Sequence, residues 1–263
     1  MHPSARVLDL FAVPDAVEPI PGGHGLGVRA GDLVLNPDRG GAGDPRLRPV
    51  LARLAVRLDQ APARPGVRIA MPIPARDGSW SVDGWIASRY EPGTTACSDL
   101  PVIRAAGRLL HAHLAIEVPT PLPGMTPPSG RWADADRVAF GAPCPPGLDT
   151  RVAALVTHAQ SHAGRGGAST EQLVHTELAP NVLLDPTGTP VILDVAPAWR
   201  SPGWADALCV LDWVLLGHGW PASPAEMTST EVSDLLRAIA FRVLTDPAPD
   251  IGAYRRVLAV TEG

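Results

Sequence analysis

Residues 173–184 read LVHTELAPNVLL and place His175, Glu177 and Asn181 in one polar stretch between two apolar runs. An imidazole, a carboxylate and an amide at that spacing suit a catalytic loop or simply a polar β-turn, so the sequel has to decide. VLL (182–184) is a strand candidate, DPTGTP (185–190) a turn, and VILDV (191–195) a returning strand with Asp194 near its end. Extended residues advance about 3.3 Å each. The two arms have similar lengths, so the polar turn and Asp194 are expected at one end of a hairpin, facing one pocket. Phosphoryl transfer from a nucleotide needs such a set. It uses a divalent metal held by oxygen ligands and a carboxylate that orients or deprotonates the acceptor hydroxyl. Asp194 is a hard anionic ligand, Asn181 offers an amide oxygen, and Glu177 supplies the carboxylate.

The elements that would carry these groups begin with a small sheet. Residues 17–20, a short stretch at Val28 and the run at 33–35 read as strands, with PGGHGLG (21–27) as a glycine-rich loop between the first two and a turn at Ala30–Gly31–Asp32 before the third. Gly22, Gly23, Gly25 and Gly27 could let backbone approach phosphates closely. Leu47, Leu51, Leu54 and Leu58 form one apolar stripe and predict a helix over 45–60. VRIAMPI (67–73) and GWIASRY (84–90) are further strands. Glu91–Pro92–Gly93 breaks the composition and reads as a hinge. Helices are expected at 99–116, with Pro101 in the first turn, and at 148–163. Between them, residues 118–149 are proline-rich and weakly periodic, and read as a long loop.

Bulk composition narrows the class. The chain has 263 residues, 45% of them hydrophobic, enough for a sizeable core in one large domain or two lobes. A net charge of −5 offers no broad basic surface for nucleic acid or anionic lipid. Three scattered cysteines, without a CxxC pair, indicate neither a disulfide framework nor a zinc site, and point to a reducing cytoplasm. The first residues lack a basic region followed by a long apolar run, so no secretory signal is expected. ALCVLDWVLLG is short and interrupted by Asp212, which suits a buried helix rather than a membrane span. All 22 basic residues are arginine, with no lysine anywhere.

The segment LVHTELAPNVLLDPTGTPVILDVAPAWR resembles the catalytic segment of aminoglycoside phosphotransferase-like kinases. GRLLHAHLA resembles that family's helix ending in Leu-His, and WADALCVLDWVLL its buried helix after the metal site. DGSWSVDGWIASRYEPG is similar to a poorly characterised actinobacterial branch of the superfamily. The resemblance implies a bilobal, protein kinase-like α+β fold. A small sheet lobe (1–91) would bind nucleotide, and a mostly helical lobe (92–263) would carry catalysis and substrate. It implies ATP or GTP with magnesium, and a small-molecule hydroxyl as acceptor. Glu177 stands at the catalytic base, His175 at the histidine that braces the loop, and Asn181 and Asp194 at the magnesium ligands. Asp206 or Asp212 would be the buried acid anchoring the loop. The four glycines would cover the phosphates, and Glu91 would lie at the hinge touching the adenine.

The chain departs from that pattern in several places. The base is Glu rather than Asp, and a displacement of about 1 Å can cost on the order of a hundredfold in rate. Thr176 replaces a glycine, and the acid-to-Asn interval is one residue short. Asn36 stands where the family's phosphate-binding lysine would be, with Arg29 or Arg39 as substitute cations. Two main readings follow: an active phosphotransferase, or a pseudokinase that senses nucleotide or binds a protein partner. A third is a metal-independent binder of some small metabolite. Other residues read as ordinary. His158 and His162 suit a solvated helix face, and His111 and His113 the end of a helix. Trp199, Trp204, Trp213 and Trp220 suit core positions, although Trp199 and Trp204, in a loop after Asp194, could flank an acceptor; Arg200 suits a surface or ion-pair residue that could contact an anionic substrate.

Overall fold

The computed structural model describes residues 2–20, 26–38, 46–61, 66–122, 130–164, 170–220 and 227–261. The chain opens with a short helix that sequence reading did not assign, α1 (Ala5–Leu10), capped by the Ser4 hydroxyl. Its Val7 and Leu8 bury against the first sheet. Strands β1 (Glu18–Pro19), β2 (Val28–Ala30) and β3 (Leu33–Pro37) follow, then α2 (Leu47–Asp59). The leucine stripe of α2 is its buried face, with Leu54 fully enclosed.

Residues 67–73 form two strands rather than the single strand expected. β4 (Arg68–Ile69) and β5 (Pro72–Ile73) join different sheets. Pro72 has no N–H to continue a ladder, so it begins a new strand instead. With β6 (Trp85–Arg89), the five strands order as β1-β2-β3-β6-β5, all antiparallel.

The second half is mostly helical. After β7 (Thr95–Ala96) comes α3 (Leu100–Glu117), capped by Asp99 with Pro101 in its first turn. The region expected to be a loop holds a helix, α4 (Arg131–Ala139). Its buried side chains are three alanines and one valine, too small to print a strong apolar period on the sequence. Next are α5 (Thr150–His162), β8 (Gln172–His175), a 3₁₀ turn (Ala179–Asn181), β9 (Val182–Leu184), β10 (Pro190–Ile192) and β11 (Pro197–Arg200). The chain closes with α6 (Pro202–Leu215), α7 (Ser229–Thr245) and α8 (Ile251–Val260).

β4 pairs in parallel with β10, which pairs antiparallel with β9, which pairs with β7. The first 70 residues thus contribute a strand to the sheet that carries the 182–192 hairpin. β8 and β11 make a separate antiparallel ribbon. Two cores flank this middle layer. One joins α2 and α3 to the hairpin; the other fills the space among α4 to α8. Trp204 is fully buried, the core placement favoured for it, although in α6 rather than in a loop, and meets Phe241 edge-on, with centroids 5.2 Å apart. Among the described residues, no helix is long and apolar enough to cross a membrane.

Candidate functional site

The hairpin register brings two of the expected groups together. Ile192 faces Val182, and the next rung is a bond from the Leu193 N–H to the Asn181 carbonyl, at 2.8 Å. Asn181 and Asp194 therefore lie at the same end. β10 stops two residues before Asp194, whose φ of +25° is a left-handed conformation uncommon for a residue with a side chain. Such strain persists only where the surroundings over-determine it, and it gathers at functional sites. The chain turns there so that the carboxylate of Asp194 stays exposed while Val191 and Ile192 are buried.

His175 ties this end of the hairpin to the loop before it. It is wholly buried, and its Nδ1 accepts from the Ala196 N–H at 3.0 Å. Its own N–H donates to His111 Nε2, also at 3.0 Å. His111, read from sequence as a helix-end residue, is thus a buried brace. Burial pushes both imidazoles down to about 4, so both are neutral at pH 7. Thr176, at the family's glycine position, is also buried, and its N–H and hydroxyl both donate to the Ala196 carbonyl. Gly107 in α3 has a packing reason: a Cβ there would meet Leu178 of the loop at 2.3 Å.

Arg242 of α7 was missed in the sequence. Burial opposes its charge, but the carboxylates of Asp212 and Glu177 outweigh that and raise its pKa. It donates to Asp212 at 2.7 Å and to the Thr176 carbonyl at 2.8 Å, and approaches Glu177 Oε1 at 3.6 Å. Of the two candidate anchoring acids, Asp212 has this role, through Arg242. Asp206 instead pairs with Arg104 at 2.9 Å, nearer the surface. Thr228 and Glu231 form a capping box at the start of α7. That local signal could have found the helix, but nothing local marks the partner of Arg242.

The donor set suits magnesium. Asn181 uses its amide N–H to bind the Glu177 carbonyl at 2.6 Å, which turns the amide oxygen to other uses. Asn181 and Asp194 are hard oxygen donors of the kind magnesium accepts, one or two from protein with phosphate oxygens and water making up the rest. No cluster of three His, Cys, Asp or Glu able to hold a metal occurs among the described residues.

Across from this end lies the first sheet. Gly22, Gly23, Gly25 and Arg39 fall outside the described residues. Gly27 is at the mouth of β2, and a Cβ there would meet Asn36 Oδ1 at 2.4 Å. Asn36 can lie as it does only because residue 27 is glycine. Asn36, Ile69, Ile86 and Asp194 line one small cavity of about 40 Å³, together with Arg48 and Leu51 of α2. Glu91 is buried between Arg68 and Arg89, at 3.0 and 2.8 Å. Its carboxylate ties the end of β6 to Arg68 of β4. Arg29 lies over the Tyr90 ring and bonds to the Gly31 carbonyl.

The remaining candidates are not in this cleft. Arg200, considered for an anionic substrate, pairs with Asp136 at 3.0 Å and Glu171 at 3.2 Å. His158 and His162 stack on each other, 4.2 Å apart. A larger cavity, about 720 Å³, lies at the far end of the β8–β11 ribbon around Ser201, Asp234 and Arg237, and holds none of the hairpin groups.

No protein-family model and no curated protein matches the sequence. Solved structures do resemble it. The choline kinase LicA from Streptococcus pneumoniae aligns at TM-score 0.56 and 13% identity, over 98% of this chain and 96% of that one. A choline/ethanolamine kinase family protein from Mesorhizobium loti aligns at TM-score 0.53 and 18% identity, over 97% and 93%. LicA in complex with AMP aligns at TM-score 0.50 and 13% identity, over 94% and 91%. At these identities the likeness establishes the fold alone: the chain has the kinase-like α+β fold of these solved choline kinases.

Proposed function

We propose that this protein binds ATP or GTP with magnesium and moves the terminal phosphate to a hydroxyl of a small molecule. The observation that carries the reading is the hairpin register, which puts Asn181 and Asp194 at the same end of the hairpin on the fold of small-molecule kinases. Residues 1–91 act as the nucleotide lobe and 92–263 as the catalytic lobe. Asn181 and Asp194 hold magnesium, which when bound neutralises charge on the phosphate oxygens. Glu177 orients the acceptor hydroxyl and takes its proton. Arg242 fixes the direction of that carboxylate, and His175 holds the loop against residues 194–196. Gly27 and Asn36, with Gly22, Gly23 and Gly25, cover the phosphates. Glu91 sets the hinge beside the base. Most of the acceleration in such a site is positioning and charge complementarity.

The test is transfer of labelled terminal phosphate from ATP or GTP to a panel of hydroxyl compounds, beginning with choline and ethanolamine, the substrates in the names of the similar structures. Glu177→Gln should lower the rate by on the order of a hundredfold or more, with nucleotide binding kept. Transfer at an unchanged rate would remove Glu177 from the chemistry.

A second reading has its own support. Glu177 is already engaged by Arg242, and the lysine position holds the neutral Asn36. On that reading the protein is a pseudokinase, a nucleotide sensor or a docking module for a protein partner. Nucleotide binding without transfer to any acceptor in the panel would favour it.

A further inference from the structure

The cavity between α2 and the hairpin end has an uneven chemistry. Ile69, Ile86 and Leu51 form apolar walls, and its polar groups include the Asn36 amide, the Asp194 carboxylate and the Arg48 guanidinium. Arg48 and Leu51 are three apart on α2, so one helix face supplies both. Arg48 is mostly buried, with 17% of its side chain exposed. The carboxylate facing it is that of Asp38, at 3.9 Å, the outer edge of ion-pair range and too long for a hydrogen bond. By contrast, Arg68 sits among Asp59, Glu91 and Asp185, and Arg242 between Asp212 and Glu177. Those guanidiniums hold structure together. Arg48 instead presents a loosely matched cation to a low-dielectric cavity that also contains Asp194.

We infer that Arg48 is the cation that binds the nucleotide's phosphates in this chain, reaching the cleft from α2 rather than from the strand that carries Asn36. The inference rests on the nucleotide reading above. A cavity of about 40 Å³ has room for a few waters or one phosphoryl group, and none for a nucleoside. A guanidinium on one wall and a carboxylate on another suit a phosphate oxygen on the first and its metal on the second. The chain has no lysine, so arginine is the permanently charged side chain available to meet phosphate. A helix-borne arginine also explains how Asn36 can be neutral: the strand supplies a hydrogen bond and the helix supplies the charge.

The test is calorimetric titration of wild type, Arg48→Gln and Arg48→Lys with ATP and magnesium, with adenosine, and with inorganic triphosphate and magnesium. Arg48→Gln should weaken ATP and triphosphate by about tenfold or more, leave adenosine unchanged, and keep the ligand-free thermal midpoint. Arg48→Lys should recover part of the loss. Equal ATP affinity in wild type and Arg48→Gln would overturn the inference, as would an equal loss of adenosine. If wild type binds triphosphate through Arg48 but neither ATP nor adenosine, the nucleotide reading fails and the phosphate site stands. If wild type binds none of the three, both fall.

Discussion

The two sides of the cleft are built differently. On the catalytic-loop side, groups are buried and bonded more than once. His175 bonds to His111 and Ala196, Thr176 to Ala196 twice, and Arg242 to Asp212 and Thr176. On the phosphate side, Asn36 rests on Gly27, Arg29 lies on Tyr90, and Arg48 meets Asp38 only at 3.9 Å. The loop side holds Glu177 and Thr176 through buried partners. The first-sheet side, where phosphate binding is proposed, pairs Arg48 only loosely. A braced site holds its geometry without ligand, whereas a loosely paired one is completed by what it binds. Stability should therefore depend on the loop side, and affinity on the phosphate side.

Arg242→Ala is the harshest test of this contrast. It removes the cation that bridges the buried Asp212 and the half-buried Glu177 and should cost about 3–5 kcal/mol, read from urea unfolding. Arg29→Ala, on the other side, removes an arginine–aromatic contact and should cost at most about 1 kcal/mol. Comparable losses for the two variants would erase the distinction.

Acid should act on the loop side next. His111 and His175 titrate near 4 when folded and near 6.5 when unfolded, so each contributes stability that is complete above 6.5 and is lost as pH falls toward 4. Between pH 7 and pH 5 the loss should be about 2 kcal/mol per histidine. Asp136 and Asp234, both pushed up by burial, soften it at the acid end. Chemical denaturation at pH 5, 6 and 7 measures this. Stability that stays flat across that window would mean that neither imidazole is buried and neutral.

The smallest effect on stability, and the sharpest division between the two sides, belongs to Gly27→Ala. Its Cβ would displace Asn36, costing about 1 kcal/mol or less in unfolding, while nucleotide affinity falls. A large loss of stability with intact affinity would place Gly27 among the structural residues.

Local patterns were the legible ones. The leucine stripe of α2, the helix at 99–116 with Pro101 in its first turn, and the strand–turn–strand run each carry their signal within a few residues, and each formed, the returning strand stopping at Ile192 rather than running to Val195. The same run gave the proximity of Asn181 and Asp194. What stayed hidden is long-range. Arg242 is 65 residues from Glu177, and His111 is 64 residues from His175, so no spacing rule links them. Nothing near Gly107 in sequence explains it either, because the side chain it accommodates, Leu178, lies in another segment. α4 was hidden for a different reason, its buried face being nearly all alanine.

The most direct measurement is the thermal midpoint of wild type and Asp194→Ala with ATP or GTP, each with and without magnesium. Binding to the folded state raises the midpoint by mass action. A rise in wild type that requires magnesium and disappears in Asp194→Ala is the predicted result. No rise with either nucleotide, or an equal rise in the variant, would contradict the account.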